Sequence, residues 1–324
     1  MKKYLGVLAA LALAGAAVGD WVYEGQWGSY GAYNGQLTYP DSVIVAPASG
    51  NVYVADTYRH RIQYFTATGS YLGKWGTFGS SDLLFNTPRG VAVAPGSGNV
   101  YVADSLNHCI KYFTATGSYL GQWGGPGGSG NGQLAQPYGL AFTGDGTVYV
   151  ADTYNDRIQY FTANGSYLGK WGSGGTGDGQ FWHPDPQGID VTSGGNVYAV
   201  DTSNHRVQYF TATGSYLGKW GAKGAGNGEF DTPRDVAVGP DGTVFVTDMN
   251  NNRVQYFTAS GSYLGQWGSS GSGNGQFNRP TGVCLNTTGS RVYVADSYNH
   301  RIQYFYANNA VVPASLGRVK ALFK

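Results

Sequence analysis

Charge is scarce in this chain. Of 324 residues only 12% are Asp, Glu, Lys or Arg, and the net charge is +1. Such a balance gives no basic patch, the electrostatic footprint that a nucleic-acid binder needs, so nucleic acid is not expected as a partner. Glutamate is reduced to Glu24 and Glu229, which leaves few carboxylates for a catalytic pair or a metal cage. Cysteine occurs twice, at Cys109 and Cys284. Helical periodicity is missing from the body of the chain, which excludes helix-built architectures. The one sustained apolar run, Leu5 to Leu13, is too short to span a bilayer comfortably.

What is abundant is repetition. The stretch Asn51 to Gly76 (NVYVADTYRHRIQYFTATGSYLGKWG) returns five more times, nearly verbatim. Its Asp falls at Asp56, Asp104, Asp152, Asp201, Asp248 and Asp296, and its closing Trp at Trp27, Trp75, Trp123, Trp171, Trp220 and Trp267. A fixed period near 48 residues signals stacked supersecondary units. Each unit reads as four short strands: GVAVA at Gly90 to Ala94 (strand a), Val52 to Ala55 (b), Arg61 to Phe65 (c) and Ser70 to Trp75 (d), with Thr68-Gly69 as a tight c–d turn. Four strands repeated at this spacing predict a β-propeller blade.

The ends fix the blade count. Trp21 to Gly28 is a lone strand d, and the last unit stops after strand c at Arg301 to Tyr306. Two partial blades make one whole blade, so the expected fold is an all-β ring of six four-stranded antiparallel blades, closed by pairing Trp21–Gly28 with Arg301–Tyr306. Closure removes two open strand edges. Cys109 and Cys284 then lie in blades 2 and 6, which do not touch, and two unpaired thiols are expected.

Residues 1–19 read as a secretory signal: Lys2 and Lys3, the apolar run, then a small-residue site at Ala17-Val18-Gly19. A retained membrane anchor is the alternative. Cleavage would leave a propeller over 20–309 with no stable membrane insertion, secreted or held in a periplasm or cell envelope. An exported chain without disulfides suits a bacterial or archaeal envelope. Residues 310–324 break the repeat. Ser315 can cap a short basic helix carrying Arg318, Lys320 and Lys324, either a flap on the propeller or a sorting signal.

The unit VYVADxxxxRIQYF, with Asn-His before the Arg at Asn107-His108 and Asn299-His300, resembles the NHL repeat, over roughly Trp21 to Tyr306. The resemblance implies a six-bladed propeller that mainly binds proteins, RNA or sugars. It also implies some enzyme relatives, among them an amidating lyase.

Within the unit, Asp56–Arg61, Asp152–Arg157, Asp201–Arg206, Asp248–Arg253 and Asp296–Arg301 recur at a spacing of five and read as structural ion pairs. Blade 2 has Cys109 in the Arg position, with Lys111 as the substitute. His60, His108, His205 and His300 share one position on a wide ring and cannot converge on one metal.

Function is sought where the copies differ. The residue after the Pro that opens strand a changes in every blade and should rim the channel mouth: Asp41, Arg89, Tyr138, Asp185, Arg234 and Thr281. Blade 4 departs most, with a d–a loop two residues longer that carries Trp182 and His183, and with Asp190 inside strand a. Asp235 replaces a glycine in blade 5. These residues are expected to form a ligand site at the mouth for a protein, a peptide or a glycan. A second expected surface is the ring of b–c loops, with Tyr58, Arg59, Leu106, Tyr154, Met249 and Tyr298. No cofactor is required, although Asp190 and Asp235 could hold Ca²⁺ through oxygen ligands. The expected function is a monomeric, non-catalytic binding module. Two alternatives are a metal-dependent lyase or lactone hydrolase of propeller type, and a structural repeat protein of the cell envelope.

Overall fold

The computed structural model describes residues 20–308. The expected signal at 1–19 and the tail at 310–324 lie outside the described residues. Six four-stranded antiparallel sheets form a ring, each in the order a-b-c-d. Blade 1 comprises Pro40–Val45, Val52–Asp56, Arg61–Phe65 and Tyr71–Trp75. The a strands of neighbouring blades contact one another around the axis, including blade 1 with blade 6. Blade 6 is built from Pro280–Leu285, Arg291–Asp296 and Arg301–Ala307, with Trp21–Trp27 as its outer strand. Trp21 pairs with Ala307 and Trp27 with Ile302, as the split repeat predicts. A bulge at Glu24 turns its side chain to Arg291. Among the described residues the helical content is five single 3₁₀ turns in b–c loops, and no helix is long and apolar enough to cross a membrane.

The core lies between blades. Side chains alternate along a strand, so each sheet has two apolar faces. Val52, Val54 and Phe65 of blade 1 pack on Trp27, Tyr293 and Tyr304 of blade 6. Tyr53, Ala55 and Ile62, on the opposite face, pack on Val91, Val102 and Phe113 of blade 2. Each closing Trp meets the strand-c Phe of the next blade: Trp75–Phe113 lie 5.6 Å apart and Trp267–Phe305 5.5 Å. The strand-b Tyr reaches the next c–d turn, where Tyr53 donates to Ala115 O at 2.9 Å. Tyr293 does the same across the ring closure, to Ala67 O at 3.0 Å. That turn must be tight: Gly69 has φ 91°, and a Cβ there would sit 2.6 Å from the Trp27 ring.

A polar clasp repeats beneath this core. Asp56 Oδ1 accepts from the backbone N of Thr38, and Oδ2 accepts from Arg61 Nε, both at 2.6 Å. The Arg61 guanidinium then donates to the carbonyls of Ala32, Tyr33 and Gln36, tying down the d–a loop. The pairs Asp152–Arg157, Asp201–Arg206, Asp248–Arg253 and Asp296–Arg301 have the same geometry, at 2.6–2.7 Å. In blade 2 Lys111 takes over, 3.0 Å from Asp104 and bonded to the carbonyls of Ser80, Ser81 and Leu84. Burial pushes Asp56, Asp104, Asp201, Asp248 and Asp296 up, against the hydrogen bonds that hold them down.

The histidines are inter-blade latches. His60, His108, His205 and His300 each adopt the left-handed conformation after a 3₁₀ turn. Each Nδ1 accepts a backbone N–H from the next blade: Thr87, Gln136, Thr232 and Tyr39. Asn252 does this in blade 5 through its side-chain oxygen, to Arg279 N at 2.9 Å. Both cysteines are free and buried, and burial pushes the Cys109 thiol up to about 12, so neither has the thiolate character of a reactive site.

Candidate functional site

The d–a loops deliver six different residues to one end of the channel. Asp41, Arg89, Tyr138, Arg234 and Thr281 meet there, as expected, and the sixth is Gln187. Asp185 does not reach the rim. The blade 4 loop is two residues longer, so Pro186 rather than Pro184 opens strand a and the rim position moves to Gln187. Asp185 is fully buried beside the b–c loop, where its Oδ2 accepts from Ser203 N at 2.8 Å and its Oδ1 has no partner. Burial pushes its pKa up to about 7.

The mouth is crossed by an ion bridge. Arg89 Nη1 lies 2.7 Å from Asp41, and Arg234, on the far side of the axis, comes within 3.7 Å of the same carboxylate. Both guanidiniums lie over the Tyr138 ring, at 4.5 Å and 5.8 Å from its centroid. Burial works against the charge on Arg89, but Asp41 and Tyr138 beside it hold its pKa above the ordinary value. Burial also pushes Tyr138 up, opposed by the two arginines. The bridge encloses about 40 Å³, room for a few waters or one small polar group.

A neck lies just below. In the next residue row, a Cβ on Gly139 would fall 2.6 Å from Gln187 O and one on Gly282 2.8 Å from Asp41 O. Glycine is therefore the residue that lets the a strands approach so closely. Ser42 and Asp235 fill this row in blades 1 and 5. Below the neck the lumen widens to about 450 Å³, walled by Ile44, Ala92, Ala141, Asp190, Ala237 and Cys284.

Asp190 and Asp235 are therefore not partners of Trp182 and His183. Asp190 lies in the lumen, where its two oxygens accept from Val191 N (2.8 Å) and Val238 N (2.7 Å). Asp235 does the same one blade on, accepting from Val236 N and Val283 N at 3.0 Å. Each carboxylate bridges the inner edge of one blade to the next, serving backbone groups that no strand covers. Burial raises Asp190 to about 6 and Asp235 to about 7, against those bonds. Among the described residues no three His, Cys, Asp or Glu side chains converge as metal ligands would.

Trp182 and His183 lie at the outer surface, both largely exposed. His183 Nδ1 sits 2.9 Å from Asp156, the residue that stands in blade 3 where four other blades carry the latch histidine. Histidine and acceptor have exchanged places across this one blade boundary, so the odd histidine of the sequence belongs to the latch system. The b–c loops, expected as a separate surface, join the mouth. Tyr58, Met249 and Tyr298, with Tyr39 and Arg279, wall a vestibule of about 180 Å³ over Asp41, Arg89 and Arg234. Tyr39 is wedged between Tyr58 (4.9 Å, 51°) and Tyr298 (5.0 Å, 77°). Sequence reasoning missed Gln187 and Tyr39; the signal for Gln187 was Gly188, whose alignment with Gly90 and Gly139 locates the rim.

A model of the NHL repeat matches residues 37–65, 85–113, 184–210, 230–257 and 277–305. These are strands a to c of five blades; the unmatched blade 3 carries Asp156 in place of the latch histidine. A comparison with curated proteins found no match. Among solved structures, a structural genomics protein of unknown function from Bacteroides thetaiotaomicron is similar at TM-score 0.65 and 14% identity, over 89% of this chain and 76% of that one. A catalytically inactive virginiamycin B lyase from Staphylococcus aureus with quinupristin gives 0.59 and 14%, over 91% and 97%. A streptogramin B lyase gives 0.57 and 15%, over 82% and 78%. At such identities the likeness is one of fold.

Proposed function

Because the chain belongs to the NHL-repeat family, we propose that it serves as a binding module, recognising a protein, peptide or glycan at the channel mouth without bond chemistry. One observation carries this reading: six blades that are otherwise near copies deliver five kinds of side chain to a single concave mouth, and these side chains form a largely shielded, mixed-charge cluster. Shape and charge there are set by rigid strand ends, so a ligand would meet a preorganised rim. The test is an array of glycans and peptides probed with the purified protein. The combined change Arg89→Ala, Tyr138→Ala and Arg234→Ala is expected to abolish any hit, and a hit that survives would move the site elsewhere.

The same reading sets the protein outside the cytoplasm as a monomer, on the strength of the charged, apolar and small-residue sequence of 1–19. Fractionation of tagged cells, with and without those residues, tests it. A metal-dependent lyase or lactone hydrolase is the competing reading, with fold likeness in its favour. It needs free ligands near the axis, whereas the oxygens of Asp190 and Asp235 already accept backbone N–H groups. Metal analysis of the purified protein, for calcium among others, set beside an Asp190→Ala and Asp235→Ala double variant, separates the two: stoichiometric metal lost in the variant would favour the enzyme.

A further inference from the structure

Arginines occur in two states in this molecule. In the clasps every guanidinium makes at least four bonds: Arg206 donates to Asp201 and to the carbonyls of Thr176, Gly177 and Gln180. At the mouth, Arg89 makes one side-chain hydrogen bond, to Asp41. Arg234 lies 3.7 Å from Asp41, beyond hydrogen-bond reach, and donates to no protein group, although its side chain is only 18% exposed. A guanidinium carries five N–H donors in a fixed fork, so most of the donors of the two arginines lining this pocket have no protein partner. Gln187 adds the complementary lack. It is 8% exposed, and its side-chain oxygen is sealed from solvent with no donor to meet it.

We propose that the mouth captures the C-terminal carboxylate of a polypeptide, which enters end-on and takes the place of Asp41 between Arg89 and Arg234. The inference rests on the mouth being the binding site and names the ligand class. Three features select it. The pocket holds only about 40 Å³, a volume that suits a chain terminus and not a through-running chain. Two forks over one Tyr138 ring suit a planar carboxylate, which accepts two parallel N–H bonds from a guanidinium. Gln187 lines the same pocket, and a turn of its amide would bring its unpartnered oxygen to an N–H next to that carboxylate, as the last peptide N–H is. The vestibule then receives the terminal side chain. With Tyr39 wedged at an angle between Tyr58 and Tyr298, it is a cleft for a side chain, not the flat platform on which a sugar ring stacks.

Asp41 is the built-in competitor. It holds the guanidiniums in register in the free protein and swings aside on binding, so its removal should strengthen the interaction. The test uses the purified protein at low salt and a peptide library anchored by its N-termini, each sequence made once as the free acid and once as the C-terminal amide. Expected are binders among the free acids, a loss of about tenfold or more on amidation, a similar loss in Arg234→Gln, and a gain of about threefold in Asp41→Asn. Thermal melts show whether each variant is folded. Equal binding of acid and amide overturns the proposal, as does weaker binding in folded Asp41→Asn, retention of glucuronate with no peptide, or no binder at all. The two readings fail separately. An amidation-insensitive peptide that is lost in the Arg89, Tyr138, Arg234 triple variant leaves the mouth standing and removes the carboxylate. A peptide unaffected by that triple variant removes both.

Discussion

The clasp ring and the channel mouth use the same side chains to opposite ends. Arg206 is buried and Arg234 half-buried, and both face an aspartate, yet one donates to four protein acceptors and the other to none. The clasp repeats because every blade has a d–a loop whose carbonyls need a buried cation to tie them down. The mouth varies because its residues project past the last shared contact, where no neighbouring blade dictates them. Saturation marks scaffold here, and unsatisfied capacity marks the place left for something else.

Removing one partner from each arginine system should expose this contrast. Arg206→Ala leaves the buried Asp201 carboxylate without its cation and the Thr176 carbonyl without a donor. It is expected to cost roughly 3–5 kcal/mol, read from the shift in the urea midpoint. Lys111→Ala should rank with it, since Lys111 serves the blade 2 clasp. A smaller effect is expected from pH. Asp185 has an ordinary value of 3.8 and titrates at about 7 in the fold. Its contribution to stability is therefore present below pH 4 and is lost as pH rises through 7. Relative to wild type, Asp185→Asn should gain stability between pH 4 and 7, by at most about 1.4 kcal/mol per pH unit, and a flat difference across that window would remove the assignment. The least disturbance is expected from Arg234→Ala, within about 1 kcal/mol of wild type, because no protein hydrogen bond is lost. A loss comparable with that of Arg206→Ala would mean that the mouth is scaffold too.

Much of this architecture was legible in the residues. The Asp–Arg spacing located the clasp, the Lys111 substitution in blade 2 read correctly, and the split blade gave the closure. These are properties of a repeat, in which one register error would show six times. Legibility ended where loop length changed. Counting from Pro184 placed Asp185 on the rim, whereas counting back from Gly188 gives Gln187, because the neck needs a small residue at that row and the loop before it does not have a fixed length. Asp190 and Asp235 looked like ligands because a carboxylate in a strand is unusual. Their purpose is to serve the uncovered inner edges of neighbouring blades, a contact between residues 48 apart that no local pattern reveals. His183 looked functional for its isolation, and only Asp156 across the blade boundary shows it to be a latch with its members exchanged.

The closing strand sets a timetable for the chain. Trp21–Trp27 is made well before its partner Arg301–Ala307, with five whole blades in between. Five sheets can assemble as they are synthesised, but this ribbon must wait, its tryptophans uncovered and its backbone groups unmatched. During that wait the nascent protein is open to pairing with a second molecule, and a partner that shields the ribbon until Arg301–Ala307 emerges would raise the yield of closed rings.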